Sequence, residues 1–450
     1  MGRYIWGPGD LDRYVEEFTK KTDVGIEKGA DYYLLPYAIE FEKAYLEYMT
    51  YLGVLTYEEL NKVCGYLDRI KYDDIDLTQY EDLHTYIEEK IIEKLGRSLY
   101  LCRSRNDVII AIERLYLRDI LKKLVSDTYL LYNTLVKKTY ETIDVPAPVH
   151  THYVLADSIP LATYFISYLE ELNRIIDLIP LLTNILFVSP LGSGAVGGCP
   201  IKLDFTWLDR RLGFNNSHIT SLYGINSRKT HNLAMLTLYS HYSGLLARIS
   251  RDLMRLSTQY NIINLPKRYI SGSSQLIHKS NPDILELIIG LHTQISSTLT
   301  IFYQHYGEES GYQRFQQQDK YLLIKHGEEL ILSMKILSGL LSEMRVAESF
   351  NVGSDIKLTW LAHKISWKYR VDYRDIYKLI KNLYFKNKSL EIIIQEIARK
   401  YSIDIDSLNK IVFDTHDMRY NYAISEEYEE LIGDLENKIL RLKKLLESGY

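Results

Sequence analysis

Residues 271–302 read SGSSQLIHKSNPDILELIIGLHTQISSTLTIF, a polar loop that runs straight into an apolar, periodic segment. Ile284, Ile288, Leu291, Ile295, Leu299 and Phe302 recur at steps of three and four, the spacing of a helix with one buried stripe. Asn281-Pro282-Asp283 supplies an N-cap residue, a first-turn proline and an acid at the positive helix end. Ahead of it, Gly272, Ser273 and Ser274 make a mobile polar lead-in, Lys279 adds positive charge and Asn281 adds amide donors. Helix N-termini present free N–H groups, so cation, amide and helix end together suit an anion. A solvated loop before a well-capped helix is the plainer account of the same residues.

The helical period recurs along the chain. Leu117, Leu121, Leu124, Leu131 and Leu135, with Thr128 filling the gap, form one stripe. Tyr428, Leu431, Leu435, Ile439, Leu442 and Leu446 form another behind a cap at Ser425, and Ser389 is a further cap. Alternating strands are scarce and no fixed-period repeat is present. The chain is therefore expected to be all-α, with a long central helix bundle. Boundaries before Arg103 and near ESFNVGSD (348–355) divide it into an N-terminal helical domain 1–103, a central long-helix domain 104–355 and a small helical domain 356–450. Stripes of eight turns or more need neighbours on several sides, so subunit association is expected.

Composition narrows the function. A net charge of -5 offers no footprint for nucleic acid, and no basic block draws the chain to a membrane. Cys64, Cys102 and Cys199 are odd in number and far apart, which argues against a disulfide framework or a zinc cluster. No apolar run reaches the ~18 residues of a membrane span, and MGRYIWGPGDLDRYVEEF lacks the apolar core of a signal peptide. A reduced, cytoplasmic location is expected.

Four further segments bear on chemistry. GSGAVG (192–197) fits a dinucleotide glycine pattern, but no βαβ alternation surrounds it, so a tight loop is expected. In VPAPVHTHYVLADS (145–158), two prolines fix an extended approach to His150, Thr151 and His152. No third metal ligand accompanies this pair, so a proton-carrying histidine is the more economical reading. LCRSRNDVIIAIERL (101–115) packs Arg103, Ser104, Arg105 and Asn106 ahead of a helix, donors suited to carboxylates. YQRFQQQDK (312–320) offers Tyr312, Gln317 and Lys320 for a second polar group.

Together these segments resemble the argininosuccinate lyase branch of the fumarase/aspartase superfamily, over roughly residues 30–330. That superfamily's G-S-S-x-M-P-x-K-x-N-P signature is matched by GSSQLIHKSNP (272–282), and its D-I-H-T by DLHT (82–85). S-R-N-D is SRND (104–107), T-H is Thr151-His152, P-L-G-S-G-A is PLGSGA (190–195), and the S-x-R step falls at Asn226-Ser227-Arg228. Y-N-x-D-L-Q-E-D-K is matched by YQRFQQQDK, which keeps Tyr312, Gln317, Asp319 and Lys320.

The resemblance implies a three-domain lyase whose long helices assemble into a tetrameric core, with sites built from three chains and no cofactor or metal. It implies Ser273 as the base that takes the Cβ proton of the succinyl group, and Lys279 and Asn281 as stabilisers of the resulting aci-carboxylate. His152, oriented by Glu286, would protonate the leaving nitrogen. Ser104, Arg105, Asn106 and Thr151, with Arg228 nearby, would hold the succinyl carboxylates. Tyr312, Gln317 and Lys320 would grip the amino-acid end, and Asp82 would meet the guanidinium. The implied reaction is reversible β-elimination of argininosuccinate to arginine and fumarate.

Several positions depart from the pattern. Tyr153 to Ser158 replace L-Q-x-A-Q-P, Thr163 stands for a histidine, and Leu276 and Ile277 stand for Met and Pro. Phe41-Glu42 replaces a Gly-Ser pair, Tyr223 an aspartate and Val108 a glutamine. Alternative readings are a lyase for another succinyl-amine such as adenylosuccinate, and a catalytically inactive member with a structural role.

Overall fold

The computed structural model describes residues 12–15, 29–75, 83–313, 316–347, 354–413 and 426–448. Helices dominate. In chain order they are α1 (Gly29–Tyr51), α2 (Tyr57–Leu67), α3 (Leu83–Leu95), α4 (Arg105–Glu141), α5 (Leu161–Ile176), α6 (Ile179–Leu186), α7 (Thr206–Arg211), α8 (Ser221–Thr258), α9 (Asp283–Tyr306) and α10 (Gln317–Glu343). Five more follow: α11 (Ser354–Tyr369), α12 (Tyr373–Phe385), α13 (Leu390–Tyr401), α14 (Ile405–Phe413) and α15 (Glu426–Ser448).

The strands are few. β1 (Pro146–Thr151) and β2 (Val154–Pro160) form an antiparallel hairpin. β3 (Val188–Ser189) pairs in parallel with β4 (Asn216–Ser217), and β5 (Ile263–Asn264) pairs antiparallel with β6 (Arg345–Val346). The hairpin is absent from the sequence reading, because its prolines and mixed polarity mask the two-residue period.

α4 sets the scale of the molecule. It starts where the Ser104 side chain accepts from the backbone of the first turn and Asp107 accepts from Ser104 N at 2.8 Å, a reciprocal capping box. No Gly or Pro interrupts its 37 residues, so it spans ~55 Å. The stripe from Leu117 to Leu135 is fully buried, Thr128 included. Each such leucine contributes about 1.5–3 kcal/mol by leaving water.

α8 runs alongside α4 for a similar length, and α9 returns antiparallel to α8. Ser243 Oγ lies 3.0 Å from His292 Nδ1 midway, and Lys229 Nζ donates to Glu309 O at 2.8 Å near the far end. α9 is long and apolar enough by length and composition to cross a membrane, yet it lies against α8 with Ile284, Ile288, Leu291 and Ile295 buried. The apolar stripe anticipated for this segment is thus the one that packs.

Two hydrophobic cores result. One joins α1 to α10 with α15, whose Tyr428, Leu435, Ile439, Leu442 and Leu446 are buried within it. The other holds Leu358, Leu361, Ile365, Ile376, Ile380, Ile393, Ile397 and Leu408 of α11 to α14. Ser389 caps α13 as its sequence anticipates, accepting from Ile392 N at 3.5 Å, whereas Ser425 lies outside the described residues.

Candidate active site

The signature loop closes on itself. Ser271 N donates to Asn281 O at 2.9 Å, and Asn281 N donates back to Ser271 O at 2.8 Å. Asn281, expected as the N-cap of α9, instead turns its amide inward and donates to Gly272 O at 3.1 Å. Pro282 takes the cap position and Asp283 the first turn, where its carboxylate accepts from Ser271 Oγ. Proline leaves no N–H to satisfy there, which frees the asparagine to zip the loop.

Within this zipped loop Ser273 Oγ accepts from Leu276 N at 3.0 Å and from Gln275 N at 3.3 Å. Two amides aimed at one hydroxyl oxygen stabilise negative charge on it. From Ser274 to Ser280 the loop stands in solvent, and Ile277 at its tip is wholly exposed.

At the same end of the bundle the β1–β2 hairpin presents Thr151 and His152. His152 and Tyr153 form its two-residue turn with φ of 51° and 62°, both left-handed and neither glycine. Such residues carry local strain that clusters at functional positions. The hairpin is pinned from behind by His150 Nε2 to Tyr260 Oη at 2.5 Å, Tyr164 Oη to Pro148 O at 2.6 Å and Trp360 Nε1 to Asp157 Oδ1 at 3.0 Å. His152 itself is exposed, and no hydrogen bond or ion pair joins it to Glu286 among the described residues. The orienting contact expected between these two side chains is not made within the chain.

The remaining candidates gather at the opposite end. Ser104 spends its hydroxyl as the cap of α4, Arg105 Nη2 donates to Thr85 Oγ1 at 2.8 Å, and Asn106 Nδ2 donates to Ala195 O at 2.9 Å. The loop bearing Ala195 also donates Gly194 N to Asp107 Oδ2 at 2.8 Å, and burial raises the Asp107 carboxyl to about 6. This loop holds the GSGAVG segment and is turned by Gly192, Gly194 and the following Gly198 at positive φ. Gly224 in the first turn of α8 admits it, since a Cβ there would lie 2.0 Å from Ser193 Oγ. Cys102 and Cys199 are joined at a Cα separation of 5.0 Å, although the odd number and wide spacing of the cysteines argue against a disulfide framework.

Behind this loop lies a buried polar cluster. Arg228 donates from Nε and Nη2 to the Glu113 carboxylate at 2.9 and 2.6 Å, with Nη1 unpartnered. Expected beside a substrate carboxylate, Arg228 is instead fully buried on this glutamate. Burial alone would raise Glu113, but the Arg228 charge prevails and holds it near 2. Arg114 lies alongside, donating to Ser227 Oγ at 2.7 Å and to Val188 O. Burial lowers it to about 9.

Tyr312 and Asp319 are close enough to act electrostatically on Arg228, and Lys320 pairs with Asp31 in the first turn of α1. Asp82 and the side chain of Gln317 lie outside the described residues. Asp31 and Glu113 escaped the sequence reading, since each belongs to a helix face with no motif of its own.

Ser104 begins α4 and Thr151 follows its far end, so the two groups of candidates stand roughly 50 Å apart along a 37-residue helix. One end offers carboxylate- and amine-binding donors; the other offers the serine, lysine and histidine suited to proton transfer.

Comparison with known proteins shows what the chain is similar to. An argininosuccinate lyase of Caldanaerobacter subterraneus subsp. tengcongensis is 28% identical over 457 residues, covering 99% of each chain. One from a Sulfurihydrogenibium species is 30% identical over 70% of each chain. The crystal structure of EDDS lyase in complex with formate superposes with a TM-score of 0.79 at 18% identity, covering 98% of this chain and 95% of that one. Residues 10–297, which hold both ends of α4 and the whole signature loop, match the Lyase family, and the chain belongs to it.

Proposed function

We propose that the chain is an argininosuccinate lyase, splitting argininosuccinate reversibly into L-arginine and fumarate. The observation that carries this reading is Ser273, held with its oxygen facing two backbone amides in a loop that leads into a helix N-terminus. Relatives named argininosuccinate lyase along nearly the whole chain support the substrate.

The chemistry follows from the groups present. A proton on carbon next to a carboxylate is weakly acidic, so its removal requires charge stabilisation where the intermediate's charge develops. The amides of Gln275 and Leu276 favour the Ser273 alkoxide that takes the Cβ proton. Lys279 and the N-terminus of α9 meet the doubly negative aci-carboxylate. Its electrons then fall back to form the C=C bond of fumarate as the C–N bond breaks, and His152 returns a proton to the departing guanidino nitrogen. Asn106 and Arg105 hold succinyl oxygens, while Tyr312, Gln317 and Lys320 hold the amino-acid end.

No single chain brings these groups together, since a helix length separates them. We therefore assign the working form to an assembly of copies, a homotetramer in the simplest case, in which the proton-transfer end of one chain meets the binding end of another. Only 33% of the apolar stretch of α9 is buried within the chain, which leaves a face for such contacts. In the assembly Glu286 of one copy is free to meet His152 of another.

Fumarate release from argininosuccinate tests the function directly. Turnover without added metal or nucleotide, reversed at high arginine and fumarate, is the expected result. Cleavage of adenylosuccinate or another succinyl-amine with no action on argininosuccinate would replace the substrate.

A further inference from the structure

Cys102 and Cys199 are 97 residues apart in sequence, yet their bridge ties together the two segments that shape the binding end. Cys102 lies two residues ahead of the α4 cap, at φ 54°, on a stretch anchored by Tyr45 Oη to Leu101 O at 2.6 Å and by the buried Arg103–Glu42 pair. Cys199 ends the loop whose Ala195 O and Gly194 N hold Asn106 and Asp107. Ala195, Val196 and Gly197, the span nearest Asn106, are exposed. Apart from the bridge, the described hydrogen bonds that fix this loop to α4 are those two.

Both cysteines are half-buried, neither wholly withdrawn from the surface of the chain. The third cysteine, Cys64, is half-buried elsewhere, and burial pushes its thiol up, which makes it a poor competitor in exchange.

We propose that the Cys102–Cys199 bridge is a redox control on substrate binding: closed, it presses the 190–199 loop against the first turn of α4, and opened, it frees the loop and loosens the grip of Asn106 on a succinyl carboxylate. This rests on the reading of Asn106 as a carboxylate-binding residue. The exchange balances with a dithiol as reductant. Its thiolate attacks one cysteine sulfur to give a mixed disulfide, and its second thiol then displaces the other cysteine. Two protein thiols and one oxidised dithiol result. Glutathione disulfide closes the bridge by the reverse traffic of two electrons, leaving two molecules of reduced glutathione.

The test uses the full-length protein oxidised with glutathione disulfide or reduced with dithiothreitol, alongside Cys199→Ser, whose hydroxyl still accepts from Ile201 N. Succinate binding by calorimetry and proteolysis of the 190–199 loop are measured together with KM for argininosuccinate. Reduction is expected to weaken succinate and raise KM on the order of tenfold, the scale set by a displaced positioning group. It should also expose the loop to protease. Cys199→Ser should match the reduced protein in both conditions. Equal succinate affinity and equal protease resistance in the two redox states overturn the proposal, as does a Cys199→Ser protein that binds like the oxidised form. Thiol titration that finds three free cysteines after oxidation overturns it too. A protein that binds succinate in this redox-dependent way but releases no fumarate in either state leaves the redox control standing and defeats the lyase reading instead.

Discussion

Glu113 accepts from Arg228 at 2.6 and 2.9 Å with neither side chain reaching solvent, and His231 Nε2 lies 3.6 Å from the same carboxylate. With Arg114, whose Nε donates to His231 Nδ1 at 3.4 Å, four ionisable groups are buried together between α4 and α8. Removing one partner leaves the other charge buried alone, which costs about 3–5 kcal/mol. Glu113→Leu should lower the urea midpoint accordingly, and replacing Arg228 by Leu in the same chain should recover most of the loss. A double variant no more stable than Glu113→Leu would show that the pair is not the unit.

The same cluster makes stability depend on pH. Burial, reinforced by Arg114 and Arg228, lowers His231 to about 4, against 6.5 when unfolded. The unfolded chain therefore binds the extra proton between these values. His231 costs no stability above pH 6.5 and progressively more as pH falls toward 4, up to about 3 kcal/mol. Asp107, Asp127 and Asp209, each raised to about 6 by burial, act with the opposite sign below pH 6. The difference between wild type and His231→Gln isolates the histidine. Unfolding free energies for both from pH 7 to 4.5 should converge as pH falls, and parallel curves would contradict the assignment.

Ser273→Ala removes the proposed base from an exposed loop. Turnover should fall by about 10²–10⁴-fold, while the thermal midpoint hardly moves. Full activity in this variant would remove Ser273 from the mechanism.

Mixing tests the division of the site. Ser273→Ala and Asn106→Ala each damage one end of the bundle, and each alone should be nearly inactive. Unfolded together and refolded as equal parts, they should regain about a quarter of wild-type activity if each site draws its two halves from different copies. Activity no greater than the sum of the separate variants would place both halves in one chain.

The hairpin turn offers a stability test. Tyr153 sits at φ 62° and is 90% exposed, so it carries left-handed strain with little packing to compensate. Tyr153→Gly should stabilise the protein by about 0.5–1 kcal/mol, read by chemical denaturation. A loss of that size would mean that the tyrosine ring is needed where it stands.

Much of the architecture was legible because helix stripes repeat locally. Leu117 to Leu135 and Ile284 to Phe302 announce their buried faces within a few turns. What escaped depends on distant or competing partners. Asn281 reads as a helix cap until Gly272 O is folded back within its reach. Arg228 reads as an anion binder until Glu113, on another helix, captures it. Nothing near Cys102 announces Cys199, because only the turns at Gly192, Gly194 and Gly198 bring them together. The motifs that hold the candidate residues were readable one by one; their separation by the length of α4 was not, since motif order along a chain carries no distance.

That separation also divides labour. In the proposed reaction, the end holding Asn106, Tyr312 and Lys320 decides which molecule is gripped, and the end holding Ser273 and His152 decides when its bond gives way. Only a stiff rod links the two. Such a lineage is free to acquire a new substrate by editing one tip of the rod, and the machinery at the other tip is inherited unchanged.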